Sequence, residues 1–267
     1  MKKQTLFCML FVLCFIPVLA QEFEENVKEL ENYSGLPIVP RLSTELLITG
    51  GSPENVALRN MLLTKPENPT ILKGKKIAVL STDGVEEIEL IGPIQYLKKR
   101  GAEVHLVAPR FQTLPRKYGV VYPQQRATHI LTIRYMENAS WIPIDKFIDD
   151  VTVDDYDGLI IPGGAWNPDS LRHDPKVQKF VREMYSQNKL TAAICHGPLV
   201  FVNAGIIRGK KATCFWNVQI DIQNAGANVM DQAVVVDENM VTSRYPFDLP
   251  DFMKAIEEKI LKQGDKK

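Results

Sequence analysis

From Lys76 onward the chain alternates short apolar runs with stretches of helical period. Lys76-Ile77-Ala78-Val79-Leu80 is a run suited to a buried parallel strand. Residues 86–100 place Ile88, Ile91 and Leu97 on one side of a helix, with Pro93 marking a kink or a late start. Gly101 stops that helix, and 103–108 returns as a second strand, completing a βαβ unit. The pattern repeats. A strand over 157–161 leads to Pro162-Gly163-Gly164, and Asp174 caps a helix from Pro175 to about Asn188. A strand over 190–194 runs into Cys195-His196-Gly197-Pro198 and a further helix. A late hairpin over 234–242 and an amphipathic helix over 249–261 close the chain. Alternating strands and helices predict an α/β fold with a mainly parallel sheet.

The ends and one interior stretch depart from this rhythm. Residues 1–20 carry Lys2 and Lys3, then an uncharged apolar run, then Val18-Leu19-Ala20; this reads as a secretory signal cleaved near Ala20. The run is too short for a membrane span, which needs about 20 residues. Export to the periplasm or beyond, with no stable membrane insertion afterwards, is therefore expected. Residues 21–73 are a proline- and glycine-punctuated extension, with one short helix expected over 55–63. The main domain then spans 74–267 and contains a long insertion, 112–150, with a hairpin expected over 128–134.

Composition adds exclusions. The 32 basic and 32 acidic residues balance, so no global charge favours nucleic acid. The 45% hydrophobic and 24% charged fractions are those of a globular chain. Leader cleavage removes Cys8 and Cys14 and leaves Cys195 and Cys214. Neither a nucleotide-phosphate loop nor a metal-ligand spacing is present in the sequence, so no cofactor and no metal are expected.

Three turns follow the carboxyl ends of predicted parallel strands, where open α/β sheets build their sites. Glu86 follows the strand 76–80, Gly163 and Gly164 follow 158–161, and Cys195 follows 190–194. A cysteine on an elbow between strand and helix is expected to be exposed near backbone dipoles that favour thiolate. A Gly-Gly turn presents N–H groups to a developing oxyanion. A carboxyl beside a thiol tunes the sulfur or shuttles a proton. Each feature alone is commonly structural; their convergence on one edge points to chemistry.

The stretches KIAVLSTDGVEEIEL (76–90), DYDGLIIPGG (155–164), AAICHGP (192–198), NAGIIRGKKAT (203–213) and VVVDENMVTSR (234–244) resemble the ThiJ/PfpI superfamily. The resemblance implies a flavodoxin-like three-layer sandwich with a nucleophile elbow. It implies Cys195 as nucleophile, His196 beside it, and Glu86 as the buried carboxyl on the sulfur. Gly163 and Gly164, completed by the His196 backbone, match the oxyanion turn. Asp169 matches an acidic residue that reaches a neighbouring subunit's histidine, in a turn one residue longer than usual. Homodimers or larger homo-oligomers are implied too. The expected activity is cofactor-free thiol chemistry on reactive carbonyls or their adducts, of glyoxalase or deglycase type, or on peptides. The competing expectation is a non-enzymatic redox-sensing or chaperone-like stress protein using the same cysteine.

Overall fold

The computed structural model describes residues 51–110 and 126–264. The predicted leader 1–20, the extension up to residue 50 and residues 112–125 of the predicted insertion lie outside the described residues. The elements are α1 (Pro53–Leu63), β1 (Lys76–Leu80), β2 (Val85–Glu86), α2 (Glu87–Lys98), β3 (Glu103–Ala108), β4 (His129–Arg134), β5 (Glu137–Pro143) and β6 (Lys146–Phe147). There follow β7 (Gly158–Ile161), α3 (Trp166–Leu171), α4 (Pro175–Ser186), β8 (Leu190–Ile194), α5 (Pro198–Ala204), β9 (Lys211–Ala212) and α6 (Gln219–Asn224). The chain closes with β10 (Asn228–Val229), β11 (Val234–Asp237), β12 (Met240–Ser243) and α7 (Leu249–Gly264).

Seven strands form the central sheet in the order β11-β12-β8-β7-β1-β3-β6. All neighbours run parallel except β11 against β12. Both faces are covered, which is why the strands read as continuous apolar runs. Ile77 and Val79 of β1 face a core with Leu58, Leu90, Leu97, Phe252, Ile256 and Ile260, which come from α1, α2 and α7. Ala78 and Leu80 face the opposite core with Phe180, Val181, Met184, Val200 and Phe201, which come from α4 and α5. The result is the three-layer sandwich, with β1, β7 and β8 side by side at its centre. Their carboxyl ends share one edge.

Local chemistry explains the boundaries. Ser52 caps α1 by accepting from the Asn55 N–H, with Pro53 in the first turn. Asp174 caps α4 by accepting from the Lys176 N–H. Pro93 lies inside α2 and the helix continues through it. Of the insertion, residues 129–143 form the β4–β5 hairpin, turned by Tyr135 at φ 61° and Met136. This hairpin does more than fill space: β4 pairs in parallel with β2, matching Val85 with Thr132 and Glu86 with Ile133. It is thereby anchored against the acidic turn at the head of α2. Among the described residues no helix is long and apolar enough to cross a membrane.

Candidate active site

Cys195 sits between β8 and α5 with φ 62°, left-handed backbone that a non-glycine residue adopts only under constraint. Two bonds hold it there. Its N–H donates to Ser243 O over 3.1 Å, and its carbonyl accepts from Phe215 N–H over 2.9 Å. The predicted elbow is therefore present. Cys195 and Cys214 are both free thiols.

The Gly163-Gly164 turn closes on this elbow. A Cβ added at Gly163 would lie 2.6 Å from Cys195 Cβ, 2.7 Å from Glu89 Oε2 and 2.8 Å from His196 N. Only glycine fits between those groups. Gly164, at φ 81°, lets its backbone press against the β1–β2 loop; a Cβ there would be 2.2 Å from Gly84 O. Asn167, fully buried, locks the two loops together. Its Oδ1 accepts from Thr82 N–H over 2.8 Å, and its Nδ2 donates to Pro162 O and Gly163 O. Nothing in the sequence pattern singled out Asn167, although an amide just past a Gly-Gly turn is a fair signal for a loop clamp.

The carboxyl on the sulfur is Glu89, not Glu86. Glu89 is fully buried; Oε2 accepts from the Gly163 N–H over 2.8 Å, and the carboxyl lies within hydrogen-bonding reach of the Cys195 thiol. Its Oε1 has no well-formed partner. Burial raises the Glu89 pKa to about 8, the Glu86 charge adds to that rise, and the Gly163 N–H opposes it. Glu86 instead turns toward the hairpin, where its Oε2 accepts from Tyr135 N–H over 2.8 Å. The two acids are three residues apart at the head of α2 and so share a face. The one deeper in that face meets the thiol.

The thiol itself also differs from expectation. Cys195 is 7% exposed, not open to solvent. Burial, followed by the Glu89 charge, pushes its pKa well above the usual thiol value, while the Gly164 N–H on the sulfur opposes that rise. Elbow geometry thus does not by itself yield a standing thiolate. With a proton on Glu89, its repulsion disappears and the carboxyl becomes a donor to sulfur. The pair therefore behaves as one titrating unit.

His196 was expected to contribute at least its backbone, and its ring also meets the thiol, with Nδ1 3.2 Å from Cys195 Sγ. Phe215 stacks on that ring at 5.0 Å between centroids. Burial lowers the His196 pKa, and the Asp169 and Asp221 charges oppose the drop. The imidazole is thus neutral at physiological pH and able to take a proton. Asp169 makes no hydrogen bond to His196 within this chain; it pairs with Arg172 at 2.7 Å. The oxyanion turn also divides its labour. Gly163 N–H is committed to Glu89, so the turn's N–H on the sulfur is that of Gly164, while the His196 backbone N packs against Gly163. Among the described residues no group of His, Cys, Asp and Glu side chains is arranged to hold a metal ion.

A buried thiol on a strained elbow, faced by a carboxyl and a Gly-Gly turn at the carboxyl edge of a doubly covered sheet, defines a class of α/β thiol proteins. The chain matches the DJ-1/PfpI family over residues 75–259, and it belongs to that family. It is 40% identical over 179 residues to protein/nucleic acid deglycase 2 of Escherichia coli, covering 67% of this chain and 93% of that one. It is 33% identical over 179 residues to deglycase PfpI of Pyrococcus furiosus, covering 67% of this chain and 95% of that one. Among solved structures, Schizosaccharomyces pombe DJ-1 superposes with a TM-score of 0.57 at 26% identity, over 69% of this chain and 90% of that one.

Proposed function

We propose that the protein is a cofactor-free, cysteine-dependent deglycase that removes α-oxoaldehyde adducts from amines. The observation that carries this reading is the placement of Glu89, fully buried so that its pKa rises to about 8, beside the Cys195 sulfur. Similarity to proteins named deglycases supports it. A peptide needs room for extended backbone; a sulfur at 7% exposure favours a small carbonyl group.

The residues account for each proton. His196 Nδ1 takes the thiol proton as Cys195 sulfur attacks the hemiaminal carbon. The C–N bond breaks, and Glu89 gives its proton to the leaving amine. Glu89, now a carboxylate, removes the C–H proton of the resulting hemithioacetal and returns it to the adjacent carbon. The hydroxyl proton moves between the two oxygens, leaving a 2-hydroxyacyl thioester. The N–H groups of Gly164 and His196 stabilise oxygen charge along this path. Water then adds to the thioester carbonyl and gives one proton to Glu89. The C–S bond breaks, His196 reprotonates sulfur, and the 2-hydroxy acid leaves carrying the second water proton, which it releases to solvent. Free methylglyoxal enters the same sequence at the hemithioacetal. With a leader at 1–20, this reaction takes place after export.

The test is an activity panel on leader-free protein: a methylglyoxal-modified amine, methylglyoxal itself and casein, each beside Cys195→Ala. Amine and lactate release lost in the variant supports the reading. Casein cleavage without carbonyl turnover replaces it with a peptidase, and selective Cys195 oxidation without any turnover replaces it with a redox sensor.

A further inference from the structure

Glu86 is not the sulfur's partner, yet it is 7% exposed, a short step along α2 from Glu89. Two carboxyls buried so close together do not both ionise readily. Their surroundings decide which one takes the charge. Glu86 receives a Tyr135 N–H at 2.8 Å and feels the Arg134 guanidinium across the hairpin. Its neighbour Glu87 repels it, but Glu87 is itself paired with Arg134 at 2.7 Å. Glu89 has one N–H donor, an unsatisfied Oε1 and the neutral thiol of Cys195. The Gly163-Gly164 turn contributes backbone only.

We propose that Glu86 is a positioning residue for the thiol: its charge, held at the hairpin, keeps the proton on Glu89 and so keeps the inner carboxyl a donor to Cys195. Glu86 acts chiefly through Glu89, and its charge adds a smaller direct rise to the Cys195 pKa. Charge on Glu86 is among the causes that raise Glu89 to about 8, and Glu86 itself is raised to about 7, chiefly by burial. The Tyr135 N–H and the Arg134 charge on Glu86, against a single N–H and an unpartnered Oε1 on Glu89, make the outer acid the one that ionises first. The hairpin becomes part of the electrostatics of the site through one backbone N–H.

This inference rests on the reading of Cys195 as nucleophile, but its test needs no substrate. Infrared difference spectra of the protonated carboxyl band, taken through a pH titration, give the Glu89 midpoint, assigned by its loss in Glu89→Gln. Glu86→Gln keeps an acceptor for Tyr135 N–H and removes the charge. The Glu89 midpoint is expected to fall by about one pH unit or more, while Glu86→Asp stays near wild type. A purely structural role would leave the midpoint unmoved. Should Glu86→Gln fail to fold, Glu86→Asn against Glu86→Asp makes the same comparison between side chains of equal size. An unchanged midpoint in the neutral variant overturns the proposal, whatever the turnover. A protein that turns over no carbonyl substrate but shows the shift sinks the deglycase reading and leaves this coupling standing.

Discussion

The Gly163 N–H donates to Glu89 Oε2 over 2.8 Å, and that bond ties the inner carboxyl to the turn that closes on Cys195. One backbone group thus fixes both the carboxyl's orientation and the spacing between acid and thiol. The division of the Gly-Gly turn follows, with Gly163 serving the acid and Gly164 the sulfur.

Gly163→Ala tests that spacing. Its Cβ would overlap Cys195, Glu89 and the His196 backbone at 2.6–2.8 Å, so at least one of them must move. Turnover is expected to fall about 100-fold, with circular dichroism unchanged. Retention of wild-type turnover would show the turn to be a mere connector.

The pH dependence follows from Glu89. Its folded pKa is about 8, against an ordinary 4.5, because burial favours the neutral form. Between those values the folded chain holds a proton that the unfolded chain releases, so stability is fully present below pH 4.5 and is lost as pH rises to about 8. Glu89→Gln removes that loss. The variant is expected to melt above wild type at pH 8, with the difference narrowing toward pH 4.5, and to have lost turnover. Scanning calorimetry at the two pH values checks it.

Asn167→Ala removes a clamp that no other residue replaces in kind. Thr82 N–H and the Pro162 and Gly163 carbonyls lose their side-chain partner. The expected cost is about 3 kcal/mol, read as a lower urea midpoint at unchanged slope, with turnover reduced as the loops separate.

The two cysteines are expected to react unequally. Burial raises both thiols, but Cys214 is fully closed off, whereas Cys195 is 7% exposed with His196 Nδ1 3.2 Å from its sulfur to take the proton. Iodoacetamide at pH 8 should modify Cys195 well before Cys214, which reacts only after denaturation. Peptide mapping distinguishes them; equal labelling would place Cys214 within reach of the site.

These contrasts show where the sequence was readable. Strands β1, β7 and β8 were legible because burial on both faces leaves an apolar run with no alternation to misread. The elbow at Cys195 and the Gly-Gly turn were legible because their residue types are uncommon at a strand's end. The depth of an acid was not. Glu86 and Glu89 lie on one helical face, and only the packing of the turn onto α2 decides which is inside. One signal was available, since Glu89 stands between Ile88 and Leu90 in the apolar stretch of that helix. The burial of Cys195 was equally hidden, because it depends on Glu89 and on a turn more than thirty residues away. Half of the hairpin was missed because β5 is only partly buried and its pattern is weak.

The central claim is that Cys195 carries the substrate covalently while Glu89 moves its proton. Mass spectrometry of protein quenched in acid while it turns over methylglyoxal tests this most directly. A 2-hydroxyacyl thioester on the Cys195 peptide is expected, appearing during turnover, decaying as substrate runs out, and missing in Glu89→Gln. Turnover that persists in Cys195→Ala, or that proceeds with no modified Cys195 at any time, would contradict the account.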